Sequence, residues 1–311
     1  MPERILKECH TRAENMGDLN NSILPFQCWV CGSKEMELAK RSNINEMLTS
    51  RSFAISDSRY GTTAEIHLCK NCGFLQCSRL EDVLRFYEDL EDVSYEEGRA
   101  ARTFQAKKLL KIAQKYRPQG RLLDIGSGSG ILVEQAIKMG YDAEGVEPSK
   151  WLQSQAVKHG LPVYLGTFPH PDTQGPYDVV TIIDVIEHVS DPVNLISDIR
   201  NVILEDGIIV VVTPDISSLM ARILGWKWWH FRVAHIGYFN RRTLGMLLDR
   251  AGFRLLSLKR ASWYFTADYL FDRVMRYLPR FIRISAPSAL KKLIVPLNLG
   301  DSLLGVCALK E

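Results

Sequence analysis

The stretch Arg121-Leu122-Leu123-Asp124-Ile125-Gly126-Ser127-Gly128-Ser129-Gly130 constrains this 311-residue chain more than any other. An apolar run enters a turn with glycine at alternate positions, and Ile131, Leu132, Gln135 and Ala136 then follow at helical spacing. That order predicts a strand, a tight loop and a helix N-terminus, the place where open α/β sheets hold a nucleotide. Glycine allows positive φ and lets a ligand touch the main chain, because no Cβ intervenes. Two acids sharpen the reading. Asp124 stands on the strand just before the loop, and Glu147 closes the next strand, predicted over Tyr141 to Val146. A carboxylate in that second place can hold both hydroxyls of a ribose.

Charge selects among nucleotides. A pyrophosphate at the helix N-terminus would meet repulsion from Asp124, whereas S-adenosylmethionine carries an ammonium and a sulfonium that a carboxylate attracts. Leu123 to Gly130 and the acid Glu147 resemble the first two motifs of class I S-adenosylmethionine-dependent methyltransferases, over roughly the C-terminal two thirds of the chain. The resemblance implies an α/β fold with a Rossmann-like, seven-stranded methyltransferase sheet whose last strand pair is antiparallel. It implies cofactor contacts from Asp124, Gly126, Ser127, Gly128, Gly130, Glu147 and Asp184. Thr167 and Phe168 fall where the adenine rests in that family, with backbone and the Phe168 ring as its expected contacts.

The hydrophobic content of 46% and charged content of 24% are those of an ordinary globular protein, and a net charge of +3 is too small to argue for a nucleic-acid partner. No apolar run is long enough to span a bilayer and Met1 to Asn20 is polar, so neither a signal peptide nor a membrane helix is expected, and a cytoplasmic location is.

Four of seven cysteines form the pairs Cys28-x-x-Cys31 and Cys69-x-x-Cys72. In a reducing compartment, paired knuckles read as a closed tetrahedral Zn²⁺ site, structural because four thiolates leave no open position. Gly32 and Gly73 follow the second thiolate of each knuckle, where a tight turn aims amides at sulfur. Cys9, Cys77 and Cys307 read as ordinary thiols, and His67 as an exposed strand residue. The expected divisions are an N-terminal tail over 1–23, a zinc ribbon over 24–80, a connecting helical segment over 81–117, and a methyltransferase domain over 118–311 with an insertion at 261–302. The acidic, aromatic run Glu81 to Tyr95 is expected to fold over the cofactor, and a helix is predicted from Arg102 to Tyr116.

Further along, Tyr177 to Ile183 reads as a buried strand ending in Asp184-Val185-Ile186-Glu187-His188, which sets titratable groups at the carboxyl edge where ligands bind. Asp191-Pro192 opens a helix, and Asp206-Gly207 is expected to turn into a strand from Ile208 to Val212. The aromatic stretch from Trp226 to Phe239 should overhang the active site, with Asn240 capping the next helix. Within the insertion, Tyr269, Leu270, Phe271, Val274, Met275, Leu278 and Phe281 mix with Arg273, Arg276, Arg280, Arg283, Lys291 and Lys292. That pattern suits either a lid helix over the core or peripheral contact of 264–296 with anionic lipid at the inner membrane face.

A hydroxyl acceptor needs a base, and His188, His235 and Glu187 are the catalytic candidates. Asp184, Glu187, His188 and His235 also resemble the divalent-metal constellation of small-RNA 2′-O-methyltransferases and a related pattern in ubiquinone-pathway O-methyltransferases, which implies a second divalent metal. The overall resemblance is to methyltransferases of polysaccharide and secondary-metabolite pathways, carried by Val185 to Val189, Val211 to Asp215 and His235 to Phe239. The expected reaction is O-methylation of a glycan, nucleotide-sugar or lipid-linked intermediate, with a small-molecule or glycan acceptor as the partner. Sugar C-methylation, quinone-type O-methylation, RNA methylation and a non-enzymatic zinc-dependent binding module are the alternatives.

Overall fold

The computed structural model describes residues 26–55, 60–77, 83–275, 279, 282–287, 289–290 and 293–310. The N-terminal part holds β1 (Met36–Lys40), β2 (Ile66–Cys69) and β3 (Leu75–Cys77), then α1 (Leu84–Glu88), α2 (Val93–Glu97) and α3 (Arg99–Ala113). There follow β4 (Gly120–Ile125), α4 (Ile131–Lys138), β5 (Tyr141–Glu147), α5 (Lys150–Lys158), β6 (Val163–Leu165), β7 (Tyr177–Ile183), α6 (Pro192–Arg200) and β8 (Ile203–Pro214). The chain continues through α7 (Leu219–Leu224), β9 (Gly237–Tyr238), α8 (Arg241–Arg250), β10 (Phe253–Arg260), β11 (Trp263–Thr266), α9 (Ala267–Met275), β12 (Ile294–Leu297) and β13 (Ser302–Leu309).

Seven strands form one sheet in the order β10-β13-β8-β7-β4-β5-β6. The five from β8 to β6 run parallel, and β13 lies antiparallel to both β8 and β10. The expected α/β class and antiparallel last pair are therefore present. Side chains alternate between the two faces of each strand. Leu123, Ile125, Val180, Ile182 and Val211 meet α6 and α8 on one face, while Leu122, Val179, Val210 and Val212 meet α3 and α4 on the other. Burial on both faces explains why β7 and β8 are near-continuous β-branched runs. Asp191 caps α6 by accepting from Asn194 N at 3.0 Å, and Asn240 with Thr243 forms a capping box on α8. Each cap contributes about 1 kcal/mol.

Three features differ from the sequence reading. Asp206-Gly207 does not begin a new strand after a turn. β8 runs unbroken from Ile203, and a register shift beside Tyr177 and Val179 absorbs the irregularity. A Cβ on Gly207 would come within 2.9 Å of the Tyr177 carbonyl, so glycine is what lets the backbones approach. Secondly, part of the aromatic overhang is itself a strand: β9 pairs with β3, so a segment from late in the chain completes the sheet β1-β2-β3-β9. Thirdly, the insertion contains an antiparallel pair, β11 with β12, and the Tyr264 ring packs on Phe104 of α3.

In α9, Arg273 donates to the hydroxyls of Tyr60 and Tyr269 at 2.7 Å each. Arg276, Leu278, Arg280, Phe281, Lys291 and Lys292 lie outside the described residues. Among the described residues no helix is long and apolar enough to cross a membrane.

Candidate functional site

The glycine loop leaves β4 and enters α4 with Gly126, Gly128 and Gly130 at φ of 72°, 57° and 73°. Neighbours close on it from three sides. A Cβ on Gly126 would fall 2.5 Å from Val185, and one on Gly128 would fall 2.6 Å from the Tyr95 hydroxyl. Tyr95, at the end of the acidic, aromatic segment, thus lies over the loop. The Ser127 side chain packs where a Cβ on Gly145 would stand, 2.7 Å away.

Glu147 is buried and answers the loop directly. Its Oε2 accepts from Gly128 N at 2.7 Å and its Oε1 from Ser149 N at 2.8 Å. Each oxygen keeps a further lone pair for a ligand hydroxyl. Asp124 Oδ1 accepts from Thr181 Oγ1 of β7 at 2.5 Å. Burial pushes both carboxyls up to about 7, against the lowering effect of these hydrogen bonds. Phe168 is buried in the core cluster that includes Val146 and Leu123.

A second group lies past the ends of β7 and β8. Asp184 takes a φ of 53°, a left-handed conformation that Asp tolerates better than most residues. Its Oδ1 is buried without a partner, and burial raises its carboxyl to about 7. Glu187 Oε2 accepts from Thr213 Oγ1 at 2.9 Å, but its buried Oε1 has no partner. Burial, followed by the charge of Asp184, pushes this carboxyl well above the usual range. His188 Nδ1 donates to the Ala234 carbonyl at 2.7 Å, with the Tyr87 hydroxyl 2.6 Å from the same nitrogen. The Nε2 lone pair is therefore free of that contact in the neutral ring. The His235 ring stands edge-on to it at 4.8 Å, and His235 Nδ1 is buried without a partner. Burial holds His188 down at about 4 and His235 well below the ordinary imidazole value.

Ligand atoms of Glu187, His188 and His235 lie within 4.8 Å of one another. Three of the four residues expected around a second metal are thus brought together; Asp184 is not among them. The two orphaned atoms and the carboxylate-imidazole donor set fit a divalent cation. Two neighbours have no sequence pattern that flags them. The His230 ring stacks on His235 with centroids 5.4 Å apart, and its Nε2 lies 3.6 Å from Asp301 Oδ2, which also accepts from Trp229 Nε1 at 2.9 Å.

The knuckle sulfurs converge in the same way. Cys28 and Cys72 Sγ are 3.5 Å apart, as are Cys31 and Cys69 Sγ, and all four atoms lie within 4.8 Å. Zn–S bonds of about 2.3 Å in a tetrahedron require sulfurs about 3.8 Å apart, so the four thiols fit zinc. Cys77 and Cys307 are buried apart from this cluster, and Cys9 lies outside the described residues. His67 is half-buried rather than exposed, its ring against Phe26 at 5.0 Å.

Comparison with known proteins agrees with this architecture. Residues 95–258 match the methyltransferase-domain family. The chain is 33% identical over 103 residues to a ubiquinone biosynthesis O-methyltransferase of Caulobacter sp., covering 30% of this chain and 40% of that protein. It is 30% identical over 169 residues to the enzyme of the same name in Azorhizobium caulinodans, covering 48% of this chain and 67% of that one. The chain spans about two fifths of the length of the first such relatives. In fold it resembles a chain of the complex between the Haloferax volcanii Trm112 methyltransferase activator and a methyltransferase, at 12% identity and a TM-score of 0.50, covering 75% of this chain and 100% of that one. By its matched residues and its sheet, the chain belongs to the methyltransferase-domain family and has the class I S-adenosylmethionine-dependent methyltransferase fold.

Proposed function

We propose that the protein is an S-adenosylmethionine-dependent O-methyltransferase acting on a hydroxyl of a small-molecule acceptor. The observation that carries this is the pairing of Glu147 with the Gly128 amide beside Asp124, one strand away from a group of buried atoms without partners. When bound, S-adenosylmethionine supplies its methyl group from a sulfonium. Glu147 holds the ribose hydroxyls and Asp124 balances the positive charge of the donor. Gly126, Gly128 and Gly130 offer main chain without a Cβ barrier, with Ser127 between them on the same loop; Tyr95 closes the loop from above, and Phe168 supports the adenine from the core side.

In-line displacement makes positioning a large part of catalysis. The acceptor oxygen must also lose a proton. His235 Nδ1 takes that proton, and His188 is oriented for the same site by the Ala234 carbonyl and Tyr87. Glu187, pinned by Thr213, points its free oxygen into the same space. A divalent cation held by Glu187, His188 and His235, with Asp184 nearby, is the alternative to that base: it would occupy the His235 lone pair and acidify the hydroxyl, whose proton would then leave to water. Cys28, Cys31, Cys69 and Cys72 hold structural zinc, which anchors the sheet that β9 completes.

The names of the relatives, ubiquinone biosynthesis O-methyltransferases, support transfer to an oxygen. The test is incubation with S-adenosylmethionine and a panel of phenols, sugars and nucleotide-sugars, reading S-adenosylhomocysteine and the methyl ether by mass spectrometry. Product with an oxygen-linked methyl is expected. Methylation only at carbon or nitrogen overturns the O-methyl reading, and no binding of the donor in calorimetry overturns the enzyme reading. Turnover that survives a chelator while the ribbon zinc is retained removes the second metal.

A further inference from the structure

A cavity of about 1110 Å³ opens between the first zinc knuckle, α8 and β10. Its charged wall consists of Arg241, Arg242, Arg250 and Arg260, with Asp215 and Asp249 as the acids. Both acids are already engaged, Asp249 in an ion pair with Lys310 and Asp215 in one with Arg260. Arg241 and Arg242 have no charged partner among the described residues, and Arg250 spends one N–H on the Val30 carbonyl at 3.1 Å, which leaves its charge uncompensated. Three guanidinium charges therefore face one cavity. Planar, multiply donating cations of this kind suit phosphate oxygens, which take paired N–H bonds. Val30, Met246 and Leu255 add an apolar side, and the volume is that of sites for organic molecules rather than for a bare ion.

The cavity and the proposed reaction centre share one strand, although no residue of the reaction centre lines the cavity. Thr213, near the end of β8, donates to Glu187, and two residues on Asp215 lines the cavity while its N–H donates to the Asp301 carbonyl at 2.7 Å. One strand end thus carries both sites. The two knuckles gain a second role, since Val30 and Cys31 of the first and Asn71 of the second form the opposite wall.

We infer that this cavity binds the phosphate or diphosphate group of the methyl acceptor, an anionic organic molecule whose hydroxyl reaches the group at Glu187 and His235. The inference deepens the proposed function and rests on it for the identity of the ligand as acceptor; anion binding itself is measured without the methyl donor. A diphosphate can come from a nucleotide-sugar or from a lipid-linked intermediate, and both carry the same recognition chemistry.

Calorimetry on the full chain with inorganic pyrophosphate is the first measurement, and the R241Q/R242Q pair is expected to weaken it at least about tenfold by removing two charge-assisted donors. Both side chains are exposed, so melting temperature and S-adenosylmethionine affinity should not change. Gly245 provides an independent variant, because a Cβ there meets nothing within 4 Å. G245F fills the cavity without altering an arginine, and it is expected to weaken uridine diphosphate or farnesyl diphosphate, whichever binds the wild type more tightly, at least about fivefold through lost space. Tighter binding of the uridine compound assigns the nucleotide source, and tighter binding of the farnesyl compound the lipid source. No pyrophosphate binding to the wild type, or wild-type affinity in either variant for its own probe, overturns the inference. Failure of the methyl donor to bind is a separate result that overturns the proposed function and not this site.

Discussion

The two halves of the sheet edge are built on opposite principles. Around β4 and β5, the acids are already satisfied: Glu147 takes two backbone amides and Asp124 a threonine hydroxyl. Past β7 and β8, Asp184, Glu187 and His235 each keep a buried atom without a partner. An unmade buried hydrogen bond costs about 1–3 kcal/mol, so such a cluster is stable only because the surrounding fold imposes it. On the proposed function, the first region is the seat of a donor that is the same in every turnover. On the same proposal, the second holds open valences for an acceptor, a proton or a cation.

If that contrast is right, the largest effect belongs to the open region and should leave the finished one untouched. The E187Q/H235A pair is expected to lower kcat by about 10²–10⁴-fold, the usual range for lost acid–base catalysis, with donor affinity held within about twofold. A parallel loss of S-adenosylmethionine affinity in calorimetry would merge the two regions into one.

Next in size is E147A. It removes the contact to the two ribose hydroxyls, so donor affinity should fall about 30-fold at roughly 1 kcal/mol for each of two bonds, while the stranded Gly128 and Ser149 amides lower the stability of the donor-free protein as well. Unchanged affinity would deny that this acid organises the loop.

pH then sharpens the distinction. Asp124 and Glu147 are raised to about 7 in the folded, donor-free protein. Between their ordinary values near 4 and about 7 the folded state holds more protons than the unfolded one, so their contribution to stability is fully present at low pH and is lost as pH rises through about 7. A cationic donor prefers them ionised, so its affinity should rise over the same window, approaching about tenfold per unit for each carboxyl that must lose its proton. Melting curves from pH 5 to pH 8, with and without S-adenosylmethionine, should diverge as pH increases. Curves that stay parallel would remove the electrostatic role of these acids.

The smallest effect is that of Y87F, which deletes a hydroxyl 2.6 Å from His188 Nδ1. Loss of one such bond, about 0.5–1.5 kcal/mol, should lower kcat by about two- to tenfold without moving donor affinity. An equal change in both would make Tyr87 a structural prop of the whole edge.

The finished region was legible because it is nearly contiguous. Asp124, the three loop glycines and Glu147 fall within one β-α-β unit, and the spacing alone brings them together. The knuckles were legible for a different reason: Cys-x-x-Cys spacing determines each half of a tetrahedral set, and two halves complete it. The open region draws on Tyr87, Asp184 to His188, Thr213, His230 to His235 and Asp301. His188 and His235 could be picked out by their position after strands, but His230 and Asp301 sit in stretches without periodicity, where nothing local distinguishes a ligand from a surface group.

What the chain states by itself is therefore periodic or local: a parallel sheet from β-branched runs, a glycine loop between strand and helix from glycine alternation, a convergent four-thiol cluster from cysteine spacing. What only the folded molecule decides is which distant segments share an edge. β9 joins the N-terminal sheet from 160 residues beyond β3, by the pairing of Leu75 with Tyr238 and Gln76 with Gly237, and Asp301 returns from the last residues of the insertion to meet His230. The physical reason is range. Strand periodicity and turn chemistry act over a few residues and are written in the order of the letters, whereas closure of long loops is settled by burial summed over the entire core.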